Sequence, residues 1–343
     1  LEFRRVLFRS HYDLAFPLHK EAAEVEYLNS NFSESESLIE MTLERAKTAL
    51  EKTEAYKLLI LQYTLRGKYE EAIVAGKKAL ALLGIDLPTE DLETAISQGI
   101  AEAKENLGDR EIASLIQEKE MTIPENKVAL ELITNLLTST YVLNTQLWAV
   151  SVLKGVNIAL KYGRFPEAAQ CYANYGIVLN GFFGDAKTGY EFGLLGLNLS
   201  EQFKNMRMKC KSSTGFGTAL IFWFKHIKEA NSVINEGYQA ALESGDLEYA
   251  GYLLHNSILN TFFQGKNIGQ LLDEIPRYLQ FTQKTQNQFS TEALWGLQLT
   301  LGNLNKSTPD KFIFAINNLK EEEFLSLLKK HKNFYSLSMY LIR

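Results

Sequence analysis

The chain has 343 residues, 46% of them hydrophobic, with 36 basic and 41 acidic side chains and a net charge of −5. That length exceeds what one compact globule usually holds, so two domains or one elongated repeat array are both open. The charges are dispersed and form no basic stripe, which argues against nucleic acid as a direct partner. Two cysteines, Cys171 and Cys210, are too few for a disulfide framework or a zinc site and fit a reducing cytoplasm.

Residues 1–10 read LEFRRVLFRS and hold three of the chain's ten arginines. They lack the long apolar stretch and small-residue cleavage site of a signal peptide. The segment resembles translated sequencing-adapter sequence and is set aside as a non-native leader. With no initiator Met, and a close at Tyr340-Leu341-Ile342-Arg343 inside a helical pattern, both ends read as truncated.

From residue 11 onward apolar residues recur at three- and four-residue spacing, and six prolines interrupt the whole chain. The pattern predicts an all-α fold. A turn at Ser30–Ser35 precedes a helix expected from Leu38 to Leu50. The clearest hairpin runs from Ala55 to Leu83, with Leu58, Leu59 and Tyr63 on its first helix and a turn at Arg66-Gly67-Lys68. Gly67 supplies the left-handed conformation that ends a helix. Tyr69 fills the wedge between the helices, and the small Ala72 and Ala79 allow close approach. A helix follows over Leu92–Leu107. Thr122-Ile123-Pro124-Glu125 then reads as a helix start with a capping box. The boundary falls there, giving N-terminal helical repeats over 11–121 and a C-terminal array over 122–343.

The same register returns at Gly163-Arg164-Phe165-Pro166-Glu167-Ala168, with Pro166 in the first helical turn. Between Gly176 and Gly217 lie eight glycines, and Gly189, Gly193 and Gly196 share one helix face. A helical glycine costs ~1 kcal/mol relative to Ala, so close backbone packing is the expected return. The apolar run Ala219–Phe224 ends at Lys225. It falls short of the ~20 residues a membrane span needs and reads as a buried helix segment. Weaker hairpins centre on His226–Ala230 and on Gly265. Glu34-Ser35-Glu36 and Glu321-Glu322-Glu323 read as solvated helix starts.

These hairpins resemble tetratricopeptide repeats, and the resemblance implies an α-solenoid whose first helices line a concave groove. In that register Asn157, Asn174, Tyr252 and His255 point into the groove. They read either as a protein- or peptide-binding surface or as packing between neighbouring repeats. Replacing Tyr252 and His255 together would then weaken partner capture without unfolding the chain.

A broader resemblance runs from about Leu14 to about Gly269. Tyr27-Leu28 with Phe32, Leu82-Leu83-Gly84-Ile85-Asp86-Leu87-Pro88, Tyr162-Gly163 and Tyr175-Gly176 carry its first part. Phe183-Gly184-Asp185, Gly189-Tyr190-x-Phe192-Gly193, Trp223 with His226, Glu236-Gly237-Tyr238 and Gly245-Asp246-Leu247-Glu248-Tyr249-Ala250 carry the rest. In order and spacing they are similar to the helical region after the AAA-like ATPase module of large cyanobacterial-type signalling proteins. Those proteins join a serine/threonine kinase-like domain, that ATPase, the helical region, often a GAF domain, and a histidine kinase. Their catalytic motifs map nowhere on this chain.

No catalytic, cofactor or metal site is expected. Gly76-Lys77-Lys78 and Ser213-Thr214-Gly215-Phe216-Gly217 both fail the phosphate-loop pattern. The histidines His11, His19, His226, His255 and His331 form no helical pair at i+3 or i+4. His226 reads as a helix-end histidine close to terminal carbonyls, and both cysteines read as buried, inert thiols. The resemblance implies a non-catalytic segment that couples an ATPase module to a sensor or histidine kinase through protein contacts, with ATP bound only in missing domains. An inducer-sensing array of an ATPase-type transcription activator and a free-standing adaptor are the alternatives.

Overall fold

The computed structural model describes residues 11–307, 315–316, 319–331, 333 and 336–337. The leader 1–10 and the closing Tyr340–Arg343 lie outside the described residues. The described chain is all-α. Its helices are α1 (Tyr12–Leu28), α2 (Phe32–Arg45), α3 (Ala49–Leu65), α4 (Tyr69–Ala81) and α5 (Leu92–Leu107). They continue with α6 (Pro124–Leu143), α7 (Thr145–Tyr162), α8 (Ala168–Phe183), α9 (Ala186–Gln202) and α10 (Met206–Gly215). The last are α11 (Ala230–Ser244), α12 (Leu247–Phe263), α13 (Ile268–Lys284), α14 (Gln288–Leu304) and α15 (Glu321–His331). A two-residue antiparallel pair, Ala315–Ile316 with Leu319–Lys320, precedes α15.

Local chemistry sets the breaks. One helix was expected over Leu38–Leu50, but α2 ends at Arg45 and α3 opens at Ala49. Thr48 Oγ1 accepts the Glu51 N–H at 3.1 Å, and the Glu51 carboxylate takes the Thr48 N–H at 2.8 Å. That reciprocal cap outweighs the continuous apolar spacing. The capping box expected at Thr122 is absent: α6 starts behind Ile123, which makes no side-chain cap, with Pro124 in its first turn. Pro166 sits in the turn ahead of α8 rather than inside it. Asn144 alone joins α6 to α7, its Oδ1 accepting from Gln146 N (2.9 Å) and Leu147 N (3.1 Å). Because Asn144 is exposed, Asn144→Ala should cost about 1 kcal/mol in a denaturant melt.

Consecutive helices pack on one another except around α5, which folds back onto α7 instead of its sequence neighbours. The hairpin positions read from sequence serve that packing. Gly67 has φ +71° and faces the Gln288 side chain; Tyr69, Ala72, Ala79 and Ala168 are buried. Phe165 is half-buried beneath the Lys127 ammonium, 5.6 Å from its ring. At Gly163 φ is +99°, and Lys119 O lies where a β-carbon would stand. Arg164 N donates to that carbonyl at 2.8 Å, so residues 119–121 pin the turn.

The glycine-rich stretch gives the tightest helix pair. On α8 and α9, a β-carbon at Gly176 would lie 2.2 Å from Gly189 O, and one at Gly196 would lie 2.4 Å from Ala169 O. These backbones touch, as the spacing predicted. Gly76, in the string weighed as a phosphate loop, is a packing glycine against Leu136.

Ala219–Phe224 corrects the expected buried helix. Past α10 the backbone widens into a π-turn over Phe216–Leu220 and a 3-10 turn over Ile221–Trp223. Phe222, Trp223 and Phe224 are 43, 55 and 50% exposed. His226 then caps the following turn, its Nδ1 accepting from Lys228 N at 3.2 Å. It does not meet the terminal carbonyls of the preceding helix, because its ring turns forward along the chain.

The main core runs from Ala23 to Met208, across the boundary expected at residue 122, so both segments share one core. The array also curls on itself. Leu28, closing α1, reaches Gly245 at the α11–α12 turn, and Gln288, opening α14, lies against Gly67. Among the described residues no helix is long and apolar enough to cross a membrane.

Candidate functional site

The curl leaves a cavity of about 290 Å³ walled by α6, α8, α10, α12 and the π-turn, with Trp148 of α7 and Phe289 of α14 closing its sides. Sequence patterning places the wall. Asp246 caps α12 by accepting Tyr249 N at 3.1 Å, and the apolar repeat of α12 then turns Tyr249, Tyr252, His255 and Leu259 toward α6 and α14.

The aromatic lining interlocks. Tyr252 meets Tyr249 edge-on at 5.3 Å and Phe289 at 5.2 Å, and Tyr141 meets Trp148 at 5.4 Å. Edge-to-face pairs at such spacing fix ring orientation as well as burying area. Gln170 Nε2 donates to the Tyr249 hydroxyl at 2.6 Å.

The polar lining is sparse. Asn174 Nδ2 donates to Gln170 O (2.8 Å), and the Thr214 and Thr218 hydroxyls donate to carbonyls one turn back. His255 is 1% exposed, and burial pushes its imidazole down to about 3. Asn256 Nδ2 donates to its Nε2 at 3.0 Å, which leaves Nδ1 to carry the proton of a neutral ring. Lys211 reaches the cavity from α10 with 2% exposure. Its Nζ lies 3.5 Å from Asn135 Oδ1 and 5.1 Å from the Tyr249 ring.

Behind the wall, Thr138 donates to the Glu248 carboxyl at 2.5 Å. Burial, reinforced by Asp246, raises Glu248 to about 7. A second, polar cavity of about 180 Å³ lies toward α1 and α3. There Lys57 bridges Glu54 and Glu131, and Glu167 is raised to about 7 by burial and by Glu131. Glu167 Oε2 has no hydrogen-bond partner among the described residues. Burial also raises both thiols, Cys171 and Cys210. Among the described residues no group of three His, Cys, Asp or Glu side chains is placed to hold a metal.

Of the four groove residues read from sequence, Asn174, Tyr252 and His255 meet in the first cavity. Asn157 does not join them. It is 5% exposed on the far side of α7, accepting from Asn106 Nδ2 at 2.9 Å and donating to Gly99 O at 3.0 Å. The fold-back of α5 covers it, a contact that repeat spacing does not encode. Tyr252 and His255 are both core side chains here, at 8 and 1% exposure. Replacing both alters packing and is not a clean surface probe, contrary to the sequence expectation. Lys211, Trp148 and Thr138 were missed. The one signal was the small-residue stretch Cys210-Lys211-Ser212-Ser213, which leaves Lys211 without bulky neighbours on its C-terminal side.

No family model matches the chain. The chain is similar to Hybrid signal transduction histidine kinase G of Dictyostelium discoideum, 22% identical over 283 residues. The match covers 76% of this chain and 8% of that protein's length, a small stretch of a large signalling histidine kinase.

Proposed function

We propose that this chain is a non-catalytic helical segment of a multi-domain signal-transduction kinase. It couples an ATPase module to a sensor or histidine kinase through contacts with other domains of the same polypeptide. One observation carries the reading: 76% of the chain matches a hybrid histidine kinase of which it spans 8%. That similarity favours a kinase parent over an ATPase-type transcription activator or a free-standing adaptor.

The finer fold reading is an α-solenoid of tetratricopeptide-like hairpins. It is supported by neighbour-on-neighbour packing and by the left-handed glycines at the Gly67 and Gly163 turns. The curl from α1 to α12 suits a relay, because movement at one end changes contacts at the other. The chain works in the cytoplasm with no cofactor of its own, and ATP binds in the flanking catalytic domains.

The test replaces residues 14–307 by a flexible linker in the full-length kinase. Autophosphorylation is expected to change severalfold while the separate histidine-kinase core keeps its rate. An unchanged rate in the full-length protein would overturn the relay.

A further inference from the structure

We infer that the aromatic cavity between α6, α10 and α12 is a binding site for a small monoanionic carboxylic acid with an aromatic or apolar body, its carboxylate held by Lys211. The site is a property of this chain and does not depend on the relay.

Size comes first. A cavity of about 290 Å³ sits at the small end of ligand pockets and holds on the order of ten to fifteen non-hydrogen atoms. The body of the ligand is set by the rings of Trp148, Tyr249, Tyr252 and Phe289, which offer stacking faces and edges.

The head group is set by one side chain. Among the described residues lining the cavity, Lys211 alone brings a full charge, since His255 is held neutral. The Thr138, Thr214 and Thr218 hydroxyls already have acceptors, and one N–H of Asn174 is bound to Gln170 O. The lysine head carries three N–H donors and makes one long contact, to Asn135, with no ion pair within 4.0 Å among the described residues. Glu248 and Glu167 attract it electrostatically, but neither closes an ion pair with it: Thr138 holds the Glu248 carboxyl, and burial raises both carboxyls. A buried lysine with spare donors on the wall of an apolar cavity favours an anion beside it.

One lysine matches one negative charge. A phosphate dianion would call for further cations, and Lys211 is the one Lys or Arg among the described lining residues. A quaternary ammonium, which an aromatic box alone would favour, is repelled by Lys211.

Calorimetric titration of the 343-residue chain tests the assignment, with 3-phenylpropionate and indole-3-acetate as probes. Their neutral amides and phenethyltrimethylammonium serve as controls. The acids are expected to bind roughly tenfold or more tighter than the amides, the worth of one charge-assisted hydrogen bond. Lys211→Met, an apolar side chain of similar length, should erase that preference and leave amide binding in place. Leu259→Trp, which fills the cavity from its half-buried wall, should abolish both. Equal affinity for acid and amide, preference for the ammonium, no binding by either acid at millimolar concentration, or acid binding that survives Leu259→Trp would each overturn the site. If Lys211→Met fails to fold, the acid-to-amide ratio and Leu259→Trp decide. Carboxylate binding together with an unchanged autophosphorylation rate after linker replacement of residues 14–307 would remove the relay and keep the site.

Discussion

Gly176→Ala should destabilise the chain by about 3 kcal/mol or more in a urea melt, the upper end of what core overpacking costs. A single methyl seldom does this. At Gly176 the new β-carbon would stand 2.2 Å from Gly189 O, with Leu220 Cδ1 at 2.9 Å. The first obstacle is backbone and cannot rotate away, so α9 must lift from α8. Phe192, which packs against Tyr172 and Tyr175 of α8, would move with it. Gly181→Ala is the internal control, since nothing lies within 4 Å of its added carbon on the same helix. It should stabilise by up to about 1 kcal/mol through helix propensity alone. Equal effects at the two positions would show that α8 and α9 are not in backbone contact.

The second large effect is on pH dependence. Glu248 and Glu167 titrate near 7 in the folded chain, raised from 4.5, so the native state binds protons that the unfolded state has released. Stability therefore falls as pH rises from about 4.5 to about 7. His255 acts in the opposite sense. Its folded value is about 3 against 6.5 unfolded, so its contribution is full above 6.5 and is lost as pH falls toward 3. The two trends oppose one another up to pH 6.5, and only the carboxyls act above it. Glu248→Gln keeps an acceptor for Thr138 and removes the charge. It should stabilise by about 2–3 kcal/mol at pH 8 and by little near pH 4.5. Thermal melts across that interval check it; a pH-independent gain would mean that Glu248 is ionised without penalty.

Three-residue periodicity and turn glycines made the all-α class and the hairpins at Gly67 and Gly163 legible, because both follow from local backbone preference. Gly189 and Gly196 announced their contact too, since a bare helix face has few other uses. Junctions between helices were harder to read. Thr48 broke a continuous apolar pattern through two hydrogen bonds, and Phe222-Trp223-Phe224 emerged exposed because the backbone widened at Phe216. The cavity was the least legible. Asn174, Tyr252 and His255 came from one register rule, yet the fold-back of α5 removed Asn157, and Lys211 arrived on a helix with no groove pattern. Such placement depends on which distant helix returns to pack, and spacing within a helix carries no trace of it.

The curl that brings Leu28 to Gly245 and Gln288 to Gly67 has a consequence for synthesis. Its contacting partners leave the ribosome far apart in time: at ~5–20 residues per second, roughly 200 residues take ~10–40 s. Throughout that interval α1 to α4 are made while the surfaces that meet α12 and α14 stand open. The nascent chain therefore depends on its early hairpins holding their own shape, and on nothing else capturing those surfaces before the late helices arrive.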